Sequence, residues 1–155
     1  MTNSTITIGA DEAYGTRVSS DAEVSFVASE IHTHGKNGYG VAASGTDAKA
    51  NLDQTLIETT GESAHAVFAL DGAAVSVKNS ALQTAGDGGV GLRAKKATAS
   101  VIGGSILTTG ILSHGVLASD GATVNIGRDP VSGAGTLIHT TAESRRPLTR
   151  RPEAQ

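Results

Sequence analysis

His32 and His34 lie two residues apart, and Glu58 follows one repeat later. Residues two apart on an extended strand share a face, so both imidazoles point the same way with Glu58 beside His32. Two imidazoles and a carboxylate are a donor set for zinc, but a catalytic zinc takes three converging protein ligands. Here the column continues as Gln83 and Leu107, neither of them a ligand, so a solvated surface pair is expected and no metal site. A second column carries rings: Tyr14, Tyr39, His65, Val90 and His114. Tyr14, Tyr39, His65 and His114 are therefore a candidate binding stripe. The simpler expectation is structural, since cross-strand pairs of this kind stabilise a sheet by about 0.2–1 kcal/mol each. A third column, Asp71, Lys96 and Asp120, alternates in sign. At an exposed corner such a ladder contributes about 0–1 kcal/mol per pair.

Catalysis on a rod of this kind would need acids or bases clustered on one face, for general acid–base work or for calcium. The acids Glu12, Glu30, Asp53, Glu62, Asp87 and Asp129 fall in different columns instead. No enzyme is expected, a polysaccharide-active one included, and no cofactor. An ice-binding face would need a regular outward threonine array. The dominant threonines, Thr33, Thr59, Thr84 and Thr108, share parity with inward Ile and Leu, and the outward pairs are mixed: His32/His34, Glu58/Thr60, Gln83/Ala85, Leu107/Thr109.

These columns exist because the chain repeats. The pattern Ile/Leu-x-Thr-x-Gly occurs at Ile31, Ile57, Leu82 and Ile106, at steps of 26, 25 and 24 residues. Nine residues after each start comes a small residue followed by an aliphatic one: Gly40-Val41, Ala66-Val67, Gly91-Leu92, Gly115-Val116. The same offset from Ile6 reaches Gly15. Phe26, Leu52, Val77, Ile102 and Ile126 form a further apolar column, with Val24, Ala50, Val75, Ser100 and Val124 two residues earlier. Between them lie Ser25, Asn51, Ser76, Val101 and Asn125, mostly polar, which completes a strand alternation. Each unit thus holds three short strands separated by Gly- and Asp-rich corners. A single unit cannot bury its own apolar face, so the units must stack. The expected fold is all-β, a right-handed parallel β-helix (solenoid) of about five to six coils, with three strands per coil of 24–26 residues.

The phrases LIETTGES (56–63) and LIHTTAES (137–144) mark the first strand of two such coils. Coils start near Ile6, Ile31, Ile57, Leu82, Ile106 and Ile138. The last start is late: 12 residues separate Ile126 from Ile138, against four or five elsewhere. The excess is a Pro/Gly-containing loop insertion at 128–135. After residue 144, Arg145, Arg146 and Pro147 stand where the earlier coil has Ala64, His65 and Ala66. Arginines cannot enter a buried stack unpaired. Repeats are therefore expected over 1–144 and a disordered Arg/Pro-rich tail over 145–155, as of an array cut off mid-coil.

Composition agrees with a thin interior. Of 155 residues 38% are hydrophobic, yet only 3% are aromatic, and 20 are glycine. With a net charge of −3, nucleic acid is not an expected partner. There is no cysteine to make a disulfide. No apolar run approaches the roughly 20 residues of a membrane helix. The N-terminal MTNSTITIGADEAYG lacks the basic start and apolar run of a signal peptide, so the chain as written is expected in the cytoplasm.

The coils IETTGESAHAVFALDGAAVSVKNS and ILTTGILSHGVLASDGATVNI resemble the passenger domains of pertactin-like bacterial autotransporters, over roughly residues 1–144. The likeness lies in repeat texture. It implies a β-helical rod whose parent is displayed on the outer surface of a Gram-negative bacterium as an adhesin or virulence factor. It also implies a host-surface or matrix component as partner. The other expectation is a free-standing structural or partner-binding solenoid. Coil ends without caps are expected to favour end-to-end self-association.

Overall fold

The computed structural model describes residues 1–141, all of it strand, corner and loop. The first coil is β1 (Thr5–Ile8), β2 (Tyr14–Val18) and β3 (Glu23–Val27). The second is β4 (Glu30–Thr33), β5 (Tyr39–Ser44) and β6 (Lys49–Asp53). The third is β7 (Leu56–Thr59), β8 (His65–Leu70) and β9 (Ala74–Lys78). β10 (Ala81–Thr84), β11 (Val90–Lys95) and β12 (Thr98–Ile102) make the fourth. β13 (Ser105–Thr108), β14 (His114–Ser119) and β15 (Thr123–Gly127) make the fifth, and β16 (Leu137–Thr140) begins a sixth. Each strand pairs in parallel with its counterpart one coil away, which gives three sheets: β1-β4-β7-β10-β13-β16, β2-β5-β8-β11-β14 and β3-β6-β9-β12-β15. The fold is a parallel β-solenoid of about five turns with three strands per coil. Among the described residues no helix is long and apolar enough to cross a membrane.

The interior is a stack of like on like. Ile6, Ile31, Ile57, Leu82, Ile106 and Ile138 are in register along the first sheet. Val41, Val67 and Leu92 meet them from the second, and Phe26, Leu52 and Val77 from the third. Thr33, Thr59, Thr84 and Thr108 are buried, as their shared parity with Ile and Leu requires. In the fourth coil the expected register slips. Ala99 and Val101, not Ser100 and Ile102, align with Val75 and Val77 and face the core. The cause is the corner before them. Three residues, Asp71-Gly72-Ala73, separate β8 from β9, whereas only Lys96-Ala97 separates β11 from β12. With Val101 in the column, the step to the next coil start is five residues in each of the first four coils.

Rungs about 4.8 Å apart leave little room where strands turn. A Cβ added at Gly61 would lie 1.9 Å from the carbonyl oxygen of Gly35, one coil back. The position admits only glycine, and Gly35, Gly86 and Gly110 fill it elsewhere. Non-glycine residues in the left-handed region recur at the corners: Asn37, Ser63 and Leu112 at the first, Asp47, Asp71 and Lys96 at the second, Ala28, Gln54 and Asn79 at the third. Left-handed backbone costs an L-residue about 1–2 kcal/mol, which explains the Asp and Asn found there. At the third corner the next residue is a buried hydroxyl, Ser29, Thr55 or Ser80. Each donates to the carbonyl two residues earlier, and Ser80 Oγ accepts from Thr55 N at 3.0 Å. Hydrogen bonds along the stack thus replace those that the turn removes from the strands.

The segment between β15 and β16 is anchored rather than loose. Buried Asp129 accepts hydrogen bonds from Asn79 Nδ2 at 2.5 Å and from Val131 N at 2.7 Å. The Asn79 side chain first, then these backbone donors, hold the Asp129 carboxyl below its ordinary pKa. Residues 145–155, expected to be a disordered tail, lie outside the described residues.

Candidate binding face

Strands of the second sheet do not alternate strictly. In β5 the ring of Tyr39 faces out, Gly40 and Val41 both face in, and Ala42 faces out again. The paired inward positions advance the next outward residue by one. The outer surface therefore carries rows three residues apart: Tyr14, Tyr39, His65, Val90, His114 in one, and Arg17, Ala42, Phe68, Arg93, Leu117 in the next.

These two rows interlock. Tyr14 meets Tyr39 edge-on with ring centroids 5.3 Å apart, and Tyr39 stacks on His65 at 5.0 Å with an 11° interplanar angle. Phe68 presents its edge to both, at 5.5 Å from Tyr39 and 5.9 Å from His65. The Arg93 guanidinium lies 5.2 Å from the Phe68 ring centroid, and Arg17 lies 5.6 Å from that of Tyr14. Three of the chain's four aromatic residues gather here; only Phe26 is in the core. Of the stripe expected from the sequence, Tyr14, Tyr39, His65 and His114, the first three touch in succession, and Val90 separates His114 from them.

His65 is 4% exposed, and its Nε2 lies 3.1 Å from Arg93 Nη1. A guanidinium can only donate, so Nε2 accepts and the proton sits on Nδ1. Burial, then the Arg93 charge, lower the pKa of His65 to about 4, and the ring is neutral at pH 7. Burial first, and the neighbouring Tyr14 next, raise that of Tyr39. Buried Nδ1 of His65 and Nε of Arg93 have no partner among the described residues. Beside this group, Tyr14, Arg17, Tyr39, Ala42 and Phe68 line a notch of about 70 Å³, opened by the small side chain of Ala42.

The faces differ in charge. Strands of the second sheet carry Arg17, Arg93 and Lys95 and no acid. Strands of the first sheet carry Glu30 and Glu58 and no Lys or Arg. There His32 bridges the two acids, with Nδ1 3.0 Å from Glu58 and Nε2 3.4 Å from Glu30, while His34 Nδ1 lies 3.0 Å from Thr60 Oγ1. Among the described residues no three His, Cys, Asp or Glu converge as metal ligands. The third sheet bears a shallow groove of about 260 Å³ along Asn51, Ser76, Ser100 and Asn125, with Ala74 and Ala99 also in its lining. At the second corner it is Lys95, not the expected Lys96, that pairs with Asp120, at 3.7 Å.

Arg17, Phe68 and Arg93 were not legible as members of this site, because strict alternation places the wrong residues outside. The available signal was compositional: so few aromatics, and two of them one coil apart in the Tyr14 column. The chain matches no family model, no curated protein and no solved structure.

Proposed function

We propose that this chain works as a non-catalytic recognition rod, part of a surface-displayed passenger of the pertactin-like autotransporter type. It engages a host-surface or matrix component through an outer face, without a catalytic pocket. The observation that carries this reading is the placement of three of four aromatic residues, with two arginines, on one outer face. A rod whose outside served only solubility would have no use for that surface, since aromatic and arginine side chains are the ones that dominate recognition interfaces.

The reading is tested by binding of the purified protein to a panel of cultured host cells and immobilised matrix components. Saturable binding is expected, and a Tyr14→Ser/Phe68→Ser variant should lose it while keeping a β-rich circular dichroism spectrum. Absence of binding across the panel, or equal binding by that variant, would leave a purely structural solenoid.

A further inference from the structure

Resting on the recognition-rod reading, we propose that the second-sheet face binds an acidic polysaccharide, a chain of sugars bearing carboxylate or sulfate, laid along the rod axis from Arg17 towards Arg93. Three observations select this ligand. The first is charge: the strands of this face carry Arg17, Arg93 and Lys95 and no acid, in a chain of net charge −3, and of the three only Lys95 pairs with a carboxylate, that of Asp120 at the corner, among the described residues. Neither arginine is neutralised by a carboxylate among the described residues. Arg17 lies over Tyr14, and Arg93 lies over Phe68 and donates to His65. Exposed Arg17 therefore keeps its donors free for a bidentate anion, the geometry that arginine offers and lysine does not, while Arg93, with Nη1 on His65 and Nε buried, offers Nη2 as a single charged donor.

The second observation is spacing. Arg17 and Arg93 are three rungs apart in one row, about 14 Å at the parallel-strand interval. Between them lie Ala42 and Phe68, with Tyr39 and His65 alongside. A pyranose ring is about one rung long, and its C–H face packs on an aromatic ring while its hydroxyls reach Tyr and Ser oxygens. A chain of such rings can place anionic groups on both arginines with sugar faces over Phe68 and the notch at Ala42.

The third concerns what the face excludes. A free small molecule generally needs a pocket of about 300–1,000 Å³, and the notch holds about 70 Å³. A peptide added as a strand needs an unpaired sheet edge, but β5 and β8 are paired on both sides. A repeating ligand on a flat, repeating surface meets both limits. Nucleic acid, with one phosphate per residue, would call for a denser row of cations than three.

The test uses the full chain at physiological salt, with heparin, hyaluronan, neutral dextran and polyglutamate as probes in calorimetry or biolayer measurements. Binding is expected to heparin or to hyaluronan and not to dextran or polyglutamate. Heparin alone assigns sulfate as the anion, and hyaluronan alone or both assign carboxylate. Arg17→Gln, at an exposed position, should weaken binding about tenfold or more, and Arg93→Gln similarly. Lys36→Gln, at the first corner and paired with Glu62 at 3.2 Å, should leave it unchanged. Equal loss in all three variants, or equal binding of polyglutamate, would overturn the proposal in favour of diffuse charge attraction. Binding to host cells or matrix without binding to either acidic polysaccharide would overturn it and leave the recognition rod standing. Binding to nothing would remove both.

Discussion

The interior of the stack and the outer face of its second sheet are made by the same strands, yet they obey different rules. Inside, Ile31, Ile57, Leu82 and Ile106 repeat one chemistry, because each must fill the same narrow space between identical rungs. Outside, the row Tyr14, Tyr39, His65, Val90 and His114 keeps its residue type only between the first two coils. An outer side chain has to suit only its neighbours along the row and water. The repetition therefore marks what stacking demands, and the irregular part marks what stacking leaves free for recognition. His65 crosses the divide: it belongs to the outer row, yet Tyr39, Phe68 and Arg93 bury it.

Acid should expose that exception first. His65 titrates near 6.5 when unfolded and near 4 when folded, so the unfolded chain takes up its proton first. The contribution is intact above pH 6.5, declines as pH falls, and is fully lost near pH 4. It amounts to up to about 3 kcal/mol. Asp129 acts later: its contribution is intact above the ordinary carboxylate range and is lost as the pH falls through that range towards its lowered folded pKa. Urea midpoints at pH 7 and pH 4.5 should therefore differ clearly in the parent chain and much less in His65→Gln. An equal drop in both would place the ring outside the folded cluster.

A smaller effect is expected at the first corner. Leu112 is 79% exposed and takes φ of +56°, a conformation dictated by the corner and unsuited to leucine. Leu112→Asn should stabilise the fold by about 1 kcal/mol, read as a higher urea midpoint. No gain, or a loss, would mean that its side chain contributes contacts that outweigh the backbone strain.

Much of the interior was legible before the structure. Columns at 24–26 residues set the number of strands and the identity of most core residues, since stacking forces like onto like. The fourth coil was misread by one place because Val101 and Ile102 are both apolar, so nothing local distinguishes them. The deciding fact, a corner one residue short at Lys96-Ala97, lies outside the strand. The candidate face was half legible. Tyr14, Tyr39 and His65 followed from the repeat, but Phe68, Arg17 and Arg93 depend on two consecutive inward residues, a departure from alternation that no single strand announces.

The claim that stacking alone dictates the interior is most directly tested between two neighbouring rungs. A Cβ at Gly40 would lie 2.2 Å from Cγ2 of Ile57 on the next coil. One coil further the equivalent position is Ala66, and the residue equivalent to Ile57 is Leu82, which is not β-branched. A glycine thus faces the β-branched Ile57, and an alanine the Leu82 that lacks this branch. Gly40→Ala should cost about 2 kcal/mol by overpacking, and Ile57→Leu about 1 kcal/mol. The measurement is a double-mutant cycle by urea denaturation. The account predicts that the double variant is more stable than the sum of the two losses by at least about 1 kcal/mol. Additivity within about 0.5 kcal/mol would contradict the Gly40–Ile57 coupling and place the strain on the Ala66 carbonyl oxygen, 2.6 Å from the same Cβ.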